Sequence, residues 1–213
     1  MAKVNRSLNE VLKQVPADYY HRGVKSNLLQ RYWHQKKWRI LKEFMGKTSG
    51  SLLDIGCADG TTTAQIQKLH HGLKITAIDY YQKAIKYAKA TNQGINFLVA
   101  DAHKLPFKNR SFDTVTAIEV LEHLDNPEKS LLEIYRVLKN KGQLIVIQDT
   151  DSLLFKLVWW FWTKWKGSVW NGSHINCYSP KKLIRLIKQT GFKVKQSKYT
   201  NFKMEIFIKA QKT

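Results

Sequence analysis

The stretch "SLLDIGCADGTTTAQIQ", Ser51 to Gln67, carries the reading of the fold. Leu52, Leu53 and Ile55 form the apolar run of a short buried strand, and Gly56 and Gly60 bracket a tight turn where side chains would obstruct approach to the backbone. Thr61, Thr62 and Thr63 open a helix whose first N–H groups face whatever lies above the turn. Strand, glycine loop and helix make a nucleotide-type cradle, although any parallel strand-to-helix turn also favours glycine. The elements that follow decide between the two.

From Ser51 onward strands and helices alternate: strand "SLLDIG", helix 61–70, strand "KITAID", helix 81–91, strands "INFLVAD" and "FDTVTAI", helix 127–139 and strand "GQLIVIQD". Apolar runs of this length between amphipathic helices predict a parallel sheet covered on both faces, an α/β doubly wound fold. The helix in "NPEKSLLEIYRVLKNKG" has Asn126 as cap, Pro127 at its first position, early acids, late lysines and Gly142 as stop. Upstream, "ADYYHRGVKSNLLQRYWHQKKWRILKEFMG" reads as a loop and then a helix from about Asn27 to Phe44. Downstream, an aromatic insert precedes a helix at 180–190 and a closing strand pair, "FKVKQSKYT" and "MEIFIKA".

With 213 residues, 43% of them hydrophobic, the chain can bury one substantial core. The expected organisation is a single domain over 1–213, with an N-terminal helical cap (1–48), a ligand-binding core (49–150), an aromatic lid insert (151–178) and a C-terminal helix and strand pair (179–213). No apolar run reaches the roughly 18 residues of a membrane span, and "MAKVNRSLNEVLKQV" lacks a signal-peptide core, so a cytoplasmic location is expected. Cys57 and Cys177 offer neither metal spacing nor a disulfide framework. The formal charge is +20, unevenly spread: residues 1–50 net +8, 51–150 net +1 and 151–213 net +11. A neutral centre between basic ends suggests a ligand at the centre and an anionic partner at the ends, unless the lysines only keep helix faces solvated.

Asp54, Asp79 and Asp101 end the first three strands, at the carboxyl edge where open parallel sheets bind ligands. With "LLDIGCADG", "ITAIDYYQKAIKYAK", "VADAHKLPFKNRSFDTVTAIEVLEHL" and "LLEIYRVLKNKGQLIVIQDT" in that order, the chain resembles the class I S-adenosylmethionine-dependent methyltransferases, especially the small-molecule subgroup that includes the ubiquinone and menaquinone methylases. The resemblance covers residues 50–150 and, more loosely, 174–213. It implies a Rossmann-like, seven-stranded mixed sheet with the last strand antiparallel, and S-adenosylmethionine as cofactor. It further implies that Gly56, Ala58 and Gly60 let the backbone approach the methionine part, with Asp54 organising the loop and the amino group. Asp79 would accept the ribose hydroxyls, Asp101 the adenine amine, and Ala102 would offer its N–H. Tyr80 and Ile118 would sandwich the base, with Glu119 completing the cofactor set. Ala58 departs from the family's more frequent glycine, and alanine suits the position only with an ordinary negative φ. A dehydrogenase is disfavoured, because G-x-x-x-G lacks the G-x-G-x-x-G spacing that a dinucleotide pyrophosphate needs.

Methyl transfer is an in-line displacement in which the protein aligns the nucleophile and excludes water, and a hydroxyl acceptor also needs a base. His174, in "NGSHINCYSP", and His123 are the candidates, each equally readable as a structural histidine. Glu119, Glu122 and His123 resemble the E-x-x-E-H metal cluster of ubiquinone-pathway O-methyltransferases, but that histidine is widespread in relatives without metal, and no metal is assigned. Tyr19, Tyr20, Arg31 and His34 from the cap, with Trp170 and Tyr178 from the insert, are expected to close the acceptor pocket. Residues 153–166 hold four of the seven tryptophans with Lys156, Lys164 and Lys166 interleaved, which suits a peripheral contact at the inner face of a membrane or a lid packed on the sheet. A small-molecule or lipid- or glycan-linked acceptor, anionic in keeping with the basic ends, is favoured over RNA. The chain shows neither an Asn/Asp-Pro-Pro-Tyr signature nor an appended RNA-binding module. A non-catalytic scaffold is disfavoured by the three strand-end acids.

Overall fold

The computed structural model describes residues 8–165, 167–170 and 178–213. Seven strands form one sheet: β1 (Ser51–Ile55), β2 (Lys74–Asp79), β3 (Asn96–Val99), β4 (Phe112–Ile118), β5 (Leu138–Asp149), β6 (Phe192–Thr200) and β7 (Glu205–Lys212). Their order is β3-β2-β1-β4-β5-β7-β6, and β7 runs antiparallel to both neighbours. This is the Rossmann-like mixed sheet, its last strand antiparallel, that the resemblance implies.

Among the described residues eight α-helices accompany it: α1 (Leu8–Gln14), α2 (Tyr19–Ser26), α3 (Leu28–Met45), α4 (Thr61–Leu69), α5 (Gln82–Thr91), α6 (Pro127–Val137), α7 (Leu153–Trp165) and α8 (Pro180–Gln189). Alternation along the strands assigns the two faces. Leu52, Ile75, Ile145, Ile147 and Phe207 pack against Ile40, Leu41, Phe44 and Met45 of α3 and Ile66 of α4. Leu53, Ile55, Val115, Leu144 and Val146 pack instead with Leu131 and Ile134 of α6 and Leu183 and Ile187 of α8. Side chains begin three helices: Asn27 accepts from the N–H groups of Leu29 and Gln30, Asn126 from Lys129, and Ser179 from Lys182.

Two local expectations change. The cap holds three helices where a loop and one helix were read: α1 and α2 are only seven and eight residues long, too short for the sustained apolar periodicity that marks the 18-residue α3. The helix read as 127–139 stops at Val137: Leu138 already pairs with Phe112 across the β4–β5 ladder, and Lys141 takes φ +61° within β5, where the register shifts before Gln143 pairs with Thr114.

Candidate active site

The carboxyl ends of β1, β2 and β4 meet at the loop that opened the sequence. The N–H groups of Gly56 and Cys57 both donate to the Ile78 carbonyl, at 2.8 and 3.0 Å, folding the loop over the end of β2. Gly56 (φ +73°) is obligatory twice over, since a Cβ there would lie 2.3 Å from a Val120 methyl. Ala58 also takes a left-handed conformation, φ +46°, against the expectation of a negative φ. Its N–H donates to Asp79 Oδ2 at 2.8 Å while that of Tyr81 donates to Oδ1 at 2.8 Å, so the strained alanine is held by the acid at the end of β2. Burial raises Asp79 above the usual carboxylate range, against the pull of these backbone donors.

Asp54 lies deeper. Its carboxylate accepts the hydroxyls of Thr63 (2.5 Å) and Thr116 (2.6 Å), joining β1 to α4 and β4, and burial pushes it up to about 6. It borders a small chamber with Glu119, Tyr20, His34 and Ile118. Beside that chamber opens a cavity of about 350 Å³. Gly56, Ala58, Asp79, Tyr80, Asp101, Ala102, Glu119, Tyr19, Tyr20, His123 and Trp170 all line it. Both the N–H and the ring of His103 engage Asp101 Oδ1 at 2.8 Å. Tyr19, Tyr20 and His123 gather around Trp170, with ring centroids 5.5 to 6.2 Å from it, as an aromatic wall.

Several expected residues do other work. Gly60 caps α4 against Phe97, and Ile118 and His34 border only the small chamber. The Arg31 guanidinium donates to the carbonyls of Val24 and Lys25 and so closes the end of α2, while Tyr178 is buried in the α6–α8 core. His174 lies outside the described residues. Among the described residues the side chains that converge are not Glu119, Glu122 and His123 but Glu119, Asp149 and Glu205, with the Lys37 ammonium beside Glu119 and Glu205. Burial and the neighbouring Lys37 hold His34 down to about 4, leaving it neutral.

Asp59 and Lys37 escaped the sequence reading. Asp59 accepts the N–H of His21 from α2 at 2.7 Å and that of Thr61 at 3.1 Å, and the Tyr81 hydroxyl donates to Val15 at 2.8 Å, so the cap is tied to the loop. A charged residue at a stripe position of α3 was the available signal for Lys37; nothing local pointed to His21 as the partner of Asp59.

The donor set suits S-adenosylmethionine. A carboxylate has about four lone-pair sites, and the two backbone bonds to Asp79 leave capacity for two ribose hydroxyls. The bare backbone at Gly56 leaves room for the methionine end, and Ala84, Ala100 and Ala102 give the wall small apolar side chains beside Asp101.

A family described as methyltransferase domain matches residues 53–146. A demethylmenaquinone methyltransferase of Thermotoga maritima is 26% identical over 79% of this chain and 82% of its own. An uncharacterised protein of Methanocaldococcus jannaschii is 36% identical over 80% of this chain and 77% of its own. Two further curated relatives are matched over about half of their own length. Among solved structures, the PH0226 protein of Pyrococcus horikoshii superposes with a TM-score of 0.73 at 19% identity, covering 92% of this chain and 99% of that one.

Proposed function

The chain belongs to the class I S-adenosylmethionine-dependent methyltransferases, in the small-molecule subgroup of the ubiquinone and menaquinone methylases, and on that premise we propose how its residues divide the work. It is an enzyme that methylates a small-molecule acceptor. The cofactor supplies a methyl carbon already activated by its sulfonium, so the chain has mainly to bind, align and keep water out. Asp79 takes the ribose hydroxyls and Asp101 the adenine amine, with Ala102 and Tyr80 beside the base. Asp54 acts through the loop it ties to β4 and α4. Glu119 stands where the cavity joins the small chamber.

The acceptor is read as a quinone-type ring carried on a lipid. A flat ring fits an aromatic wall of Tyr19, Tyr20 and Trp170, where edge and offset ring contacts favour planar partners. The demethylmenaquinone methyltransferase named above is consistent with that class. His123, on the same wall, would take a proton from a hydroxyl acceptor, and His174 keeps that role only on the sequence. The chain would collect such an acceptor through α7, which connects by the turn at Ser168–Trp170 to the wall itself. Among the described residues no helix is long and apolar enough to cross a membrane, so this contact would be peripheral.

The observation that carries the reading is the Asp79 carboxylate, fixed by two backbone donors in the cavity that also holds Asp101 and the aromatic wall. Calorimetric titration of S-adenosylhomocysteine tests it. Wild type should bind in the micromolar range and Asp79→Ala should not, and labelled methyl should pass to a demethylmenaquinol and not to RNA. A folded wild type that binds no S-adenosylhomocysteine would overturn the assignment.

A further inference from the structure

Lys37 occupies the buried stripe of α3 that Ile40, Leu41, Phe44 and Met45 continue, and its side chain is only 2% exposed. A charge survives there only if it is paired. Its ammonium donates to Glu119 and lies 3.1 Å from Glu205, which faces Asp149 across the β5–β7 ladder. Oxygens of Glu119, Asp149 and Glu205 lie within 4.8 Å of one another. Three carboxylates this close repel unless a cation sits among them or one keeps a proton; burial and the neighbouring Glu119 and Glu205 push Asp149 well above its ordinary value, and the oxygen spacing of the three suits a divalent ion. Burial opposes the Lys37 charge, but Glu119, Glu205 and Asp149 outweigh it. Nearby Glu122 is equally buried, and neither of its carboxyl oxygens has a hydrogen-bond partner among the described residues; burial pushes it up to about 8, so it adds no charge to the cluster at neutral pH.

Glu119 links this cluster to the cavity. It takes φ +55°, a left-handed conformation that a non-glycine residue adopts only when its surroundings hold it there. Its N–H donates to the Ile147 carbonyl at 2.8 Å, so the ammonium on its carboxylate and the sheet on its backbone hold it together.

We propose that Lys37 is the resident cation of the Glu119–Asp149–Glu205 cluster and a positioning residue for methyl transfer, fixing Glu119 at the cavity wall where a divalent metal would otherwise be needed. The rate effect rests on the methyltransferase reading; the cation exchange does not. The test is a titration of Mn²⁺, followed by electron paramagnetic resonance, on wild type and Lys37→Ala, with labelled-methyl transfer and S-adenosylhomocysteine calorimetry alongside. Lys37→Ala should gain one Mn²⁺ site absent from wild type. It should lose about 100-fold in kcat, as misplacement by an ångström does, while keeping its S-adenosylhomocysteine affinity. Mn²⁺ should restore much of the rate to this variant alone. A folded Lys37→Ala that binds no Mn²⁺, or that transfers like wild type, would overturn the proposal. Should Lys37→Ala not fold, Glu205→Gln, which removes one of the negative charges facing the ammonium, must lower kcat without weakening S-adenosylhomocysteine binding; unchanged kcat would overturn it equally. Absence of transfer by wild type would instead count against the methyltransferase reading and leave the Mn²⁺ arm to judge this one.

Discussion

Asp59 Oδ2 accepts the backbone N–H of His21 at 2.7 Å, a bond that spans 38 residues and joins the glycine loop to the second helix of the cap. The other oxygen of the same carboxylate accepts Thr61 N–H at 3.1 Å, at the start of α4. Cap and loop therefore share one buried anion, and the cap residues Tyr19 and Tyr20 reach the cavity wall from a backbone fixed by it.

Asp59→Ala should weaken S-adenosylhomocysteine binding about tenfold without unfolding the sheet. Hydrogen bonds to a charged group contribute about 1.5–3 kcal/mol, and about 1.4 kcal/mol corresponds to tenfold in affinity. Asp59→Asn keeps one acceptor oxygen and should lose less. Calorimetry on both variants checks the order, and an alanine variant that binds like wild type would show the tie to be ornamental to the site.

Ala58→Gly should stabilise the protein by up to about 1 kcal/mol. Relief of the left-handed φ of +46° is worth about 1–2 kcal/mol, offset in part by the greater freedom of glycine in the unfolded chain. Ala58→Val should do the reverse, since a branched Cβ tolerates that region worst. Urea midpoints of the two variants should bracket that of wild type.

Glu122 makes a pH prediction. Burial pushes it up from 4.5 to about 8, so over that window the folded state keeps a proton that the unfolded state has released. Its contribution is fully present below pH 4.5 and is lost as pH rises through about 8. Each pH unit within the window removes up to about 1.4 kcal/mol. Glu122→Gln carries no such proton, so its stability should fall less steeply between pH 5 and 8 than that of wild type, by denaturant midpoints across that range. Parallel curves would show that Glu122 is not held neutral.

The sheet was legible because β1, β2, β4 and β5 are apolar runs ending in acids or glycine, and because those acids recur at the same edge. Asp79 and Asp101, read at those strand ends, line the cavity. What was not legible depended on partners distant in sequence. Asp59 looks like one more turn residue until His21 arrives from α2. Lys37 looks solvated until β4, β5 and β7 bring Glu119, Asp149 and Glu205 to it. Tyr178 and Arg31 misled for a related reason: aromatic and cationic residues in a cap serve the core and helix ends as readily as a pocket.

The outward side of α7 carries the last prediction. Phe155, Trp159 and Thr163, four residues apart, turn inward, and the rings of Phe155 and Trp159 stack at 5.7 Å. Leu153, Leu157 and Phe161 share the opposite side and are 84%, 54% and 59% exposed. Trp160 is exposed beside them with the Lys164 ammonium 4.2 Å above its ring, and Lys156 is exposed as well. An apolar helix side edged by lysines, on a chain of charge +20, suits an anionic bilayer surface better than water. The protein should float with phosphatidylglycerol vesicles at low salt and much less with phosphatidylcholine. It should be released near 1 M salt, where the Debye length has shrunk to about 3 Å. Leu157→Glu with Phe161→Glu alters only the outward side, so it should abolish flotation while leaving S-adenosylhomocysteine binding and transfer to a short-chain, water-soluble acceptor intact. No flotation of wild type at low salt would sink the membrane contact without touching the cofactor site, and self-association of wild type, abolished by the same double substitution, would assign the helix to a second copy of the chain instead.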